Sequence, residues 1–136
     1  MACVERWPAR RRSTVFVERS ELIRMFVLDV IADDYENLDK IYGEVGQLAK
    51  KCGLAATARE IRQGLLDLIR TNLAKAYRLS PRRPTEEISG VPSPDEIEEC
   101  YFWVTDGGRQ LQSSDYADWP FDETGSLRTD WSPPTG

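Results

Sequence analysis

Apolar residues recur at three- and four-residue steps in three separate stretches, and each stretch predicts a helix. The first is the densest. Leu22, Ile23, Met25, Phe26, Val27, Val30 and Ile31 give a wide apolar face over residues 20–32. Ser20 is the expected N-cap, Glu21 favours the first turn through the helix dipole, and the polar run Asp33–Asn37 breaks the pattern. A second helix is predicted over 38–52, with Leu38, Ile41, Val45, Leu48 and Ala49 on one face and Gly53 as its C-terminal stop. A third follows over 58–70. Thr57 and Glu60 form a T-x-x-E capping box at its start. Ile61, Leu65, Leu68 and Ile69 make its buried stripe, and Arg59, Arg62, Gln63 and Arg70 fall on the other side.

The period then changes from helical to alternating. Thr71–Leu73 reads as a turn and Ala74–Ser80 as a strand, with Lys75, Tyr77 and Leu79 on one face. Residues 81–99 read as a long connection containing Pro81, Pro84, Pro92 and Pro94, with a short helical turn at 95–99. Cys100–Thr105 is rich in β-formers and predicts a second strand. Phe102 and Val104 are assigned to the core, whereas Tyr101 and Trp103 pack on the N-terminal segment or in a dimer contact. Thr105 is the expected cap of a last helix, 106–112, anchored by Leu111. Three segments result: an N-terminal arm, 1–18, with a β-prone stretch at Thr14–Val17; a folded domain, 19–113; and an acidic, aromatic tail, 114–136, read as an extended or mobile arm.

Composition narrows the chemistry. With 136 residues, 40% hydrophobic and 30% charged, the chain suits one soluble globular domain. No stretch approaches the roughly 18 consecutive apolar residues of a membrane span, and no uninterrupted apolar core follows the basic N-terminus, so neither membrane insertion nor a secretory signal is expected. The sequence has no histidine, which excludes histidine-based nucleophilic systems and His-ligated zinc or haem. Cys3, Cys52 and Cys100 form no CxxC pair. Such sparse usage fits a reducing cytoplasm, and Cys52 reads as a small buried hydrophobe. Neither GxGxxG nor a phosphate-binding loop occurs. No cofactor, metal or catalytic residue is therefore expected.

Charge is segregated. Residues 1–24 carry six Arg against three Glu, net +3, and residues 25–49 carry one Lys against six acids, net −5. Residues 50–84 carry nine Lys and Arg against two acids, net +7, and residues 85–136 carry two Arg against twelve acids, net −10. Such a chain either presents one cationic face or neutralises itself by internal pairing.

The order of these elements resembles the winged helix-turn-helix family over residues 20–112. Leu48-Ala49-Lys50-Lys51-Cys52-Gly53-Leu54 resembles the family's second helix and turn. Ile61–Ile69 resembles its third helix, Ala74–Leu79 and Tyr101–Thr105 its wing strands, and Thr105-Asp106-Gly107-Gly108-Arg109 the T-x-x-G-R that closes many wings. The resemblance implies an α+β fold, mainly helical: a three-helix core, a two-stranded antiparallel wing and extended terminal arms. It also implies a non-enzymatic protein that binds duplex DNA, regulates transcription and forms a homodimer.

Carried onto this sequence, the resemblance places Thr57, Arg59, Arg62 and Gln63 at the major groove. There arginine can read guanine and glutamine adenine. It places Lys50, Lys51, Arg70 and Lys75 near phosphates, and Arg82 and Arg83 at the wing tip. The basic run Arg10-Arg11-Arg12 either assists along the DNA or is a solvated terminus.

Two features depart from that pattern. Glu86, Glu87, Asp95, Glu96, Glu98 and Glu99 make the wing acidic, and the whole-chain pI is near 4.8, both unfavourable beside phosphates. The alternative is an interaction module without DNA binding, whose acidic wing and tail meet a basic protein partner. Tyr116, Trp119, Phe121 and Trp131 also make the tail a candidate for packing over the third helix as an autoinhibitory cover, or for exchange within a dimer.

Overall fold

Nine of the fifteen residues of helix α1, Arg19–Asp33, are buried: Leu22, Ile23, Met25, Phe26, Val27, Leu28, Val30, Ile31 and Ala32. A helix apolar on nearly every side has to be covered on every side. The computed structural model describes residues 17–134, in which three further helices and a sheet pack against this one. They are strand β1 (Glu36–Asn37), helices α2 (Leu38–Lys51) and α3 (Ala58–Arg70), strands β2 (Ala74–Ser80), β3 (Arg83–Ile88) and β4 (Tyr101–Val104), and helix α4 (Asp106–Asp115). The basic run Arg10–Arg12 and the stretch Thr14–Phe16 lie outside the described residues.

Local chemistry sets the boundaries. The first intrahelical bond of α1 runs from the Leu22 N–H to the Glu18 carbonyl at 2.9 Å. Glu18 is therefore the cap residue, and the expected cap Ser20 lies inside the first turn. Asn37 caps α2 by accepting from the Lys40 N–H at 2.9 Å. Beyond Lys51, Gly53 has φ +78°. Its N–H reaches the Lys50 carbonyl, and the Leu54 N–H reaches that of Ala49, a paired C-terminal closure that needs a left-handed residue. Burial pushes the Cys52 thiol up to about 11, in keeping with a buried apolar role.

The sheet has four antiparallel strands in the order β1-β4-β2-β3. With β3 set aside, the chain order α1-β1-α2-α3-β2-β4, with β4 lying between β1 and β2, is that of a winged helix. β3 extends the wing, pairing Ala76 with Ile88, Tyr77 with Glu87 and Arg78 with Glu86. The 81–99 connection thus contains a strand that the sequence pattern does not predict. Arg83–Glu87 are exposed, so no alternation marks the strand, and Pro84 is tolerated because this is a sheet edge. β1 pairs only Glu36 with Phe102 and Asn37 with Tyr101, too short to leave a periodic trace. Ala74, Ala76, Phe102 and Val104 face the helices and are buried.

The T-x-x-G-R segment has a packing explanation. The Thr105 hydroxyl donates to the Asn72 carbonyl and accepts from the Gly108 N–H, both at 3.0 Å. A Cβ on Gly108 would overlap the Leu73 carbonyl oxygen and the Val104 side chain. Glycine is therefore required where α4 crosses the end of β2. Arg109 then lies 5.3 Å from the centre of the Trp103 ring, and Trp103 stacks on Tyr35 at 4.8 Å.

α4 runs to Asp115, three residues beyond its expected end, and the chain does not then extend away. Trp119 meets Phe26 edge-on at 5.4 Å, and Phe121 stacks on Phe26 at 6.3 Å. Phe121 and Trp131 are both buried. The turn between them is closed by the Asp122 carboxylate, which accepts from the Thr124 and Ser126 N–H groups at 2.9 and 3.1 Å. Trp119, Phe121 and Trp131 therefore anchor this segment on the same core, correcting the expectation of an extended arm. Trp119 and Phe121 are held by Phe26 of α1, which lies far away in sequence.

The close approach at Gly108 separates two adjacent glycines. Gly107→Ala has room, with its nearest neighbour at 3.5 Å, and is expected to be neutral or slightly stabilising. Gly108→Ala is expected to cost more than about 2 kcal/mol in urea denaturation. Equal stability of the two variants would refute this packing.

Candidate nucleic-acid interface

The capping box is present at the start of α3. The Thr57 hydroxyl accepts from the Glu60 N–H at 3.1 Å, and a Glu60 carboxylate oxygen accepts from the Thr57 N–H at 3.0 Å. The same carboxylate holds Arg19 of α1 by two bonds, at 2.6 and 3.1 Å, while the Arg19 guanidinium also donates to the Ala55 carbonyl at 2.6 Å. One carboxylate thus fixes the first turn of α3, the preceding turn and the start of α1. The Arg19 bond, followed by the Thr57 N–H bond, holds the Glu60 carboxyl down at about 2. Arg19 was not legible as part of this arrangement, because its partner is 41 residues away.

Thr57, Arg59 and Gln63 are exposed on α3, and Lys50 and Lys51 are exposed on the last turn of α2. The groove beside Arg59 and Gln63 is lined by Ser20, Glu60, Gly64 and Asp67, with no residue of the C-terminal segment. Arg59 has no carboxylate partner among the described residues. The Gln63 amide donates to Asp67 at 2.9 Å, and Arg70 pairs with the same carboxylate at 2.8 Å. Arg62 is only half-exposed. It donates to the Tyr42 hydroxyl at 3.1 Å and lies 4.0 Å from Glu98. Arg62 therefore joins α3 to α2, a tie that its outward helical phase did not reveal. The Thr57 hydroxyl is likewise engaged in the cap.

The acidic wing is paired in part. Lys75 meets Glu87 at 3.0 Å, and Arg78 meets Glu86 at 3.5 Å and Glu96 at 2.8 Å. These are exposed pairs and contribute little to stability, on the order of 0–1 kcal/mol each. Their effect is to gather acidic side chains against the base of the hairpin. Arg82 and Arg83 are exposed at the β2–β3 turn, and neither has a carboxylate partner among the described residues.

Three carboxylates near the C-terminus are also partnered away from α3. Asp115 pairs with Arg24 at 2.7 Å and Asp130 with Arg128 at 2.7 Å, while Asp122 closes its own turn. The packing of this segment runs to Phe26 of α1 and to Lys51, whose ammonium lies 5.8 Å from the Phe121 ring centre. A cover over the outer face of α3 is not what this segment forms.

Among the described residues, no group of three or more His, Cys, Asp or Glu is arranged to hold a metal ion. No helix there is long and apolar enough to cross a membrane. No protein-family model matches the chain, and no curated protein matches it. Among solved structures, a PadR-like transcription factor from Bacteroides fragilis is similar over 74% of this chain and 82% of that one, with 14% identity and a TM-score of 0.45. That likeness is too distant to carry a function.

The Glu60 carboxylate makes a signed prediction. Its lowered pKa contributes stability that is full above the ordinary value of 4.5 and is lost as pH falls toward about 2. The stability gap between the wild type and Glu60→Gln, read by urea denaturation, should be constant from about pH 7 to 5, shrink progressively below about pH 4.5 and close only near pH 2. A gap unchanged at about pH 3 would show that the Arg19–Glu60–Thr57 arrangement does not form in solution.

Proposed function

We propose that this protein binds duplex DNA without catalysis and regulates transcription, with α3 in the major groove and the β2–β3 turn on the flanking backbone. The observation that carries this reading is the division of charge. Four carboxylates, Glu86, Glu87, Glu96 and Glu98, lie beside Lys75, Arg78 or Arg62. Arg59, Arg82 and Arg83 have no carboxylate partner among the described residues. An acidic chain can therefore present cations where a phosphate backbone would lie. The winged-helix topology supports the same reading, because it leaves one face of α3 open to a groove wide enough for a helix.

On this reading Arg59 and Gln63 meet base edges. Lys50, Lys51, Arg82 and Arg83 contact phosphates, which position the protein without reading sequence. Thr57 and Arg62 set the orientation of α3 through the cap and Tyr42. The reading includes a homodimer, whose two α3 helices would meet half-sites about one helical turn apart.

Fluorescence anisotropy of a labelled random duplex across a salt series tests it. Wild type should bind with an affinity on the order of 10⁻⁴–10⁻⁶ M and weaken steeply as salt rises. Arg82→Ala/Arg83→Ala should lower the salt slope by about two, and Arg59→Ala should weaken binding further. No binding at low salt, or binding untouched by either variant, would refute the proposal and favour a protein partner.

A further inference from the structure

The C-terminal segment builds a cleft of about 850 Å³ that the DNA reading does not use. Three aromatic rings line it. Tyr116 and Trp119 lie 6.3 Å apart at 82°, and Trp119 and Phe121 lie 6.0 Å apart at 72°. Successive rings are close to perpendicular and pack edge to face on one another. Trp119 and Phe121 are held from behind by Phe26 of α1, whereas Tyr116 is 55% exposed at the mouth.

The charge of the cleft is negative. Asp122 and the exposed Glu123 lie on its lining. Arg128 also lines it, but its guanidinium is bound to both Asp130 oxygens, at 2.9 and 2.7 Å, and to the Ala117 and Trp119 carbonyls at 3.1 and 3.0 Å. Its charge is matched, and it acts as a strut for the walls. Aromatic faces are negative and attract cations. One cation already uses this cluster, since the Lys51 ammonium lies 5.8 Å from the centre of the Phe121 ring.

We propose that the cleft edged by Tyr116 and Trp119, with the buried Phe121 at its base, binds a small organic cation of the quaternary-ammonium type. The rings supply cation–π attraction, Glu123 supplies the opposing charge, and the volume falls within the roughly 300–1,000 Å³ of small-molecule sites. The inference is independent of DNA binding.

The test is an NMR titration of the full chain with choline and with 3,3-dimethylbutan-1-ol, which has the same shape without the charge. Choline should shift the Trp119 indole N–H and the Glu123 amide saturably, with a dissociation constant on the order of 1–10 mM. The neutral alcohol should bind at least about tenfold more weakly. Tyr116→Ala and Glu123→Gln alter exposed side chains. Each should weaken choline severalfold while leaving the remaining amide spectrum unchanged. Equal binding of the alcohol, shifts that do not saturate, or undiminished choline binding in Tyr116→Ala would overturn the proposal.

Discussion

The burial of α1 is the constraint on which the structure depends. Its residues Leu22, Ile23, Phe26, Leu28 and Ile31 are almost wholly removed from water, and each such side chain contributes roughly 1.5–3 kcal/mol when fully covered. Two polar residues interrupt the helix, and α4 answers both. Arg24 pairs with Asp115 at 2.7 and 3.3 Å, and Asp29 accepts from the Gln112 amide at 3.3 Å. Asp115 is a buried charge. Removing either member of such a pair leaves the other uncompensated, typically at a cost of about 3–5 kcal/mol. The pair therefore determines where α4 lies more than it adds net stability. Once α4 is placed, Trp119 and Phe121 follow onto Phe26, and the last open side of α1 is closed.

This arrangement has consequences for charge. The C-terminal segment has a structural task on α1 and the end of α2, so it leaves the outer face of α3 open. The wing hairpin holds Glu86 and Glu87 against Arg78 and Lys75, so its tip, which carries Arg82 and Arg83, remains cationic. The net −5 of the whole chain is thus a poor guide to the potential any one partner meets. Between α1 and α3, Glu60 connects cap, turn and Arg19 at the end of the candidate recognition helix that carries Arg59.

Much of the fold was legible because its signals are local. The bounds of α3 and β2 follow from the T-x-x-E box, the stripe Ile61–Leu65–Leu68 and the alternation around Ala74 and Ala76. Gly53 was legible as a stop because few other residues tolerate its φ of +78°. β3 was not legible, since Arg83–Glu87 meet water on both faces and carry no alternation. The docking of Trp119 and Phe121 was not legible either, because their partner Phe26 lies more than ninety residues away. At the candidate interface, outward phase identified Arg59 and Gln63 as exposed. It could not show that Arg62 turns to Tyr42, or that the Thr57 hydroxyl is held in the cap.

The central claim is that α3 and the wing tip face the partner while the C-terminal segment stays fixed on α1. Amide hydrogen exchange of the full chain, with and without duplex DNA, tests both halves at once. The account predicts added protection at residues 50–63 and 80–84 on DNA binding, with residues 116–131 unchanged. Loss of protection at 116–131 when DNA is added, or no change anywhere at low salt, would contradict it.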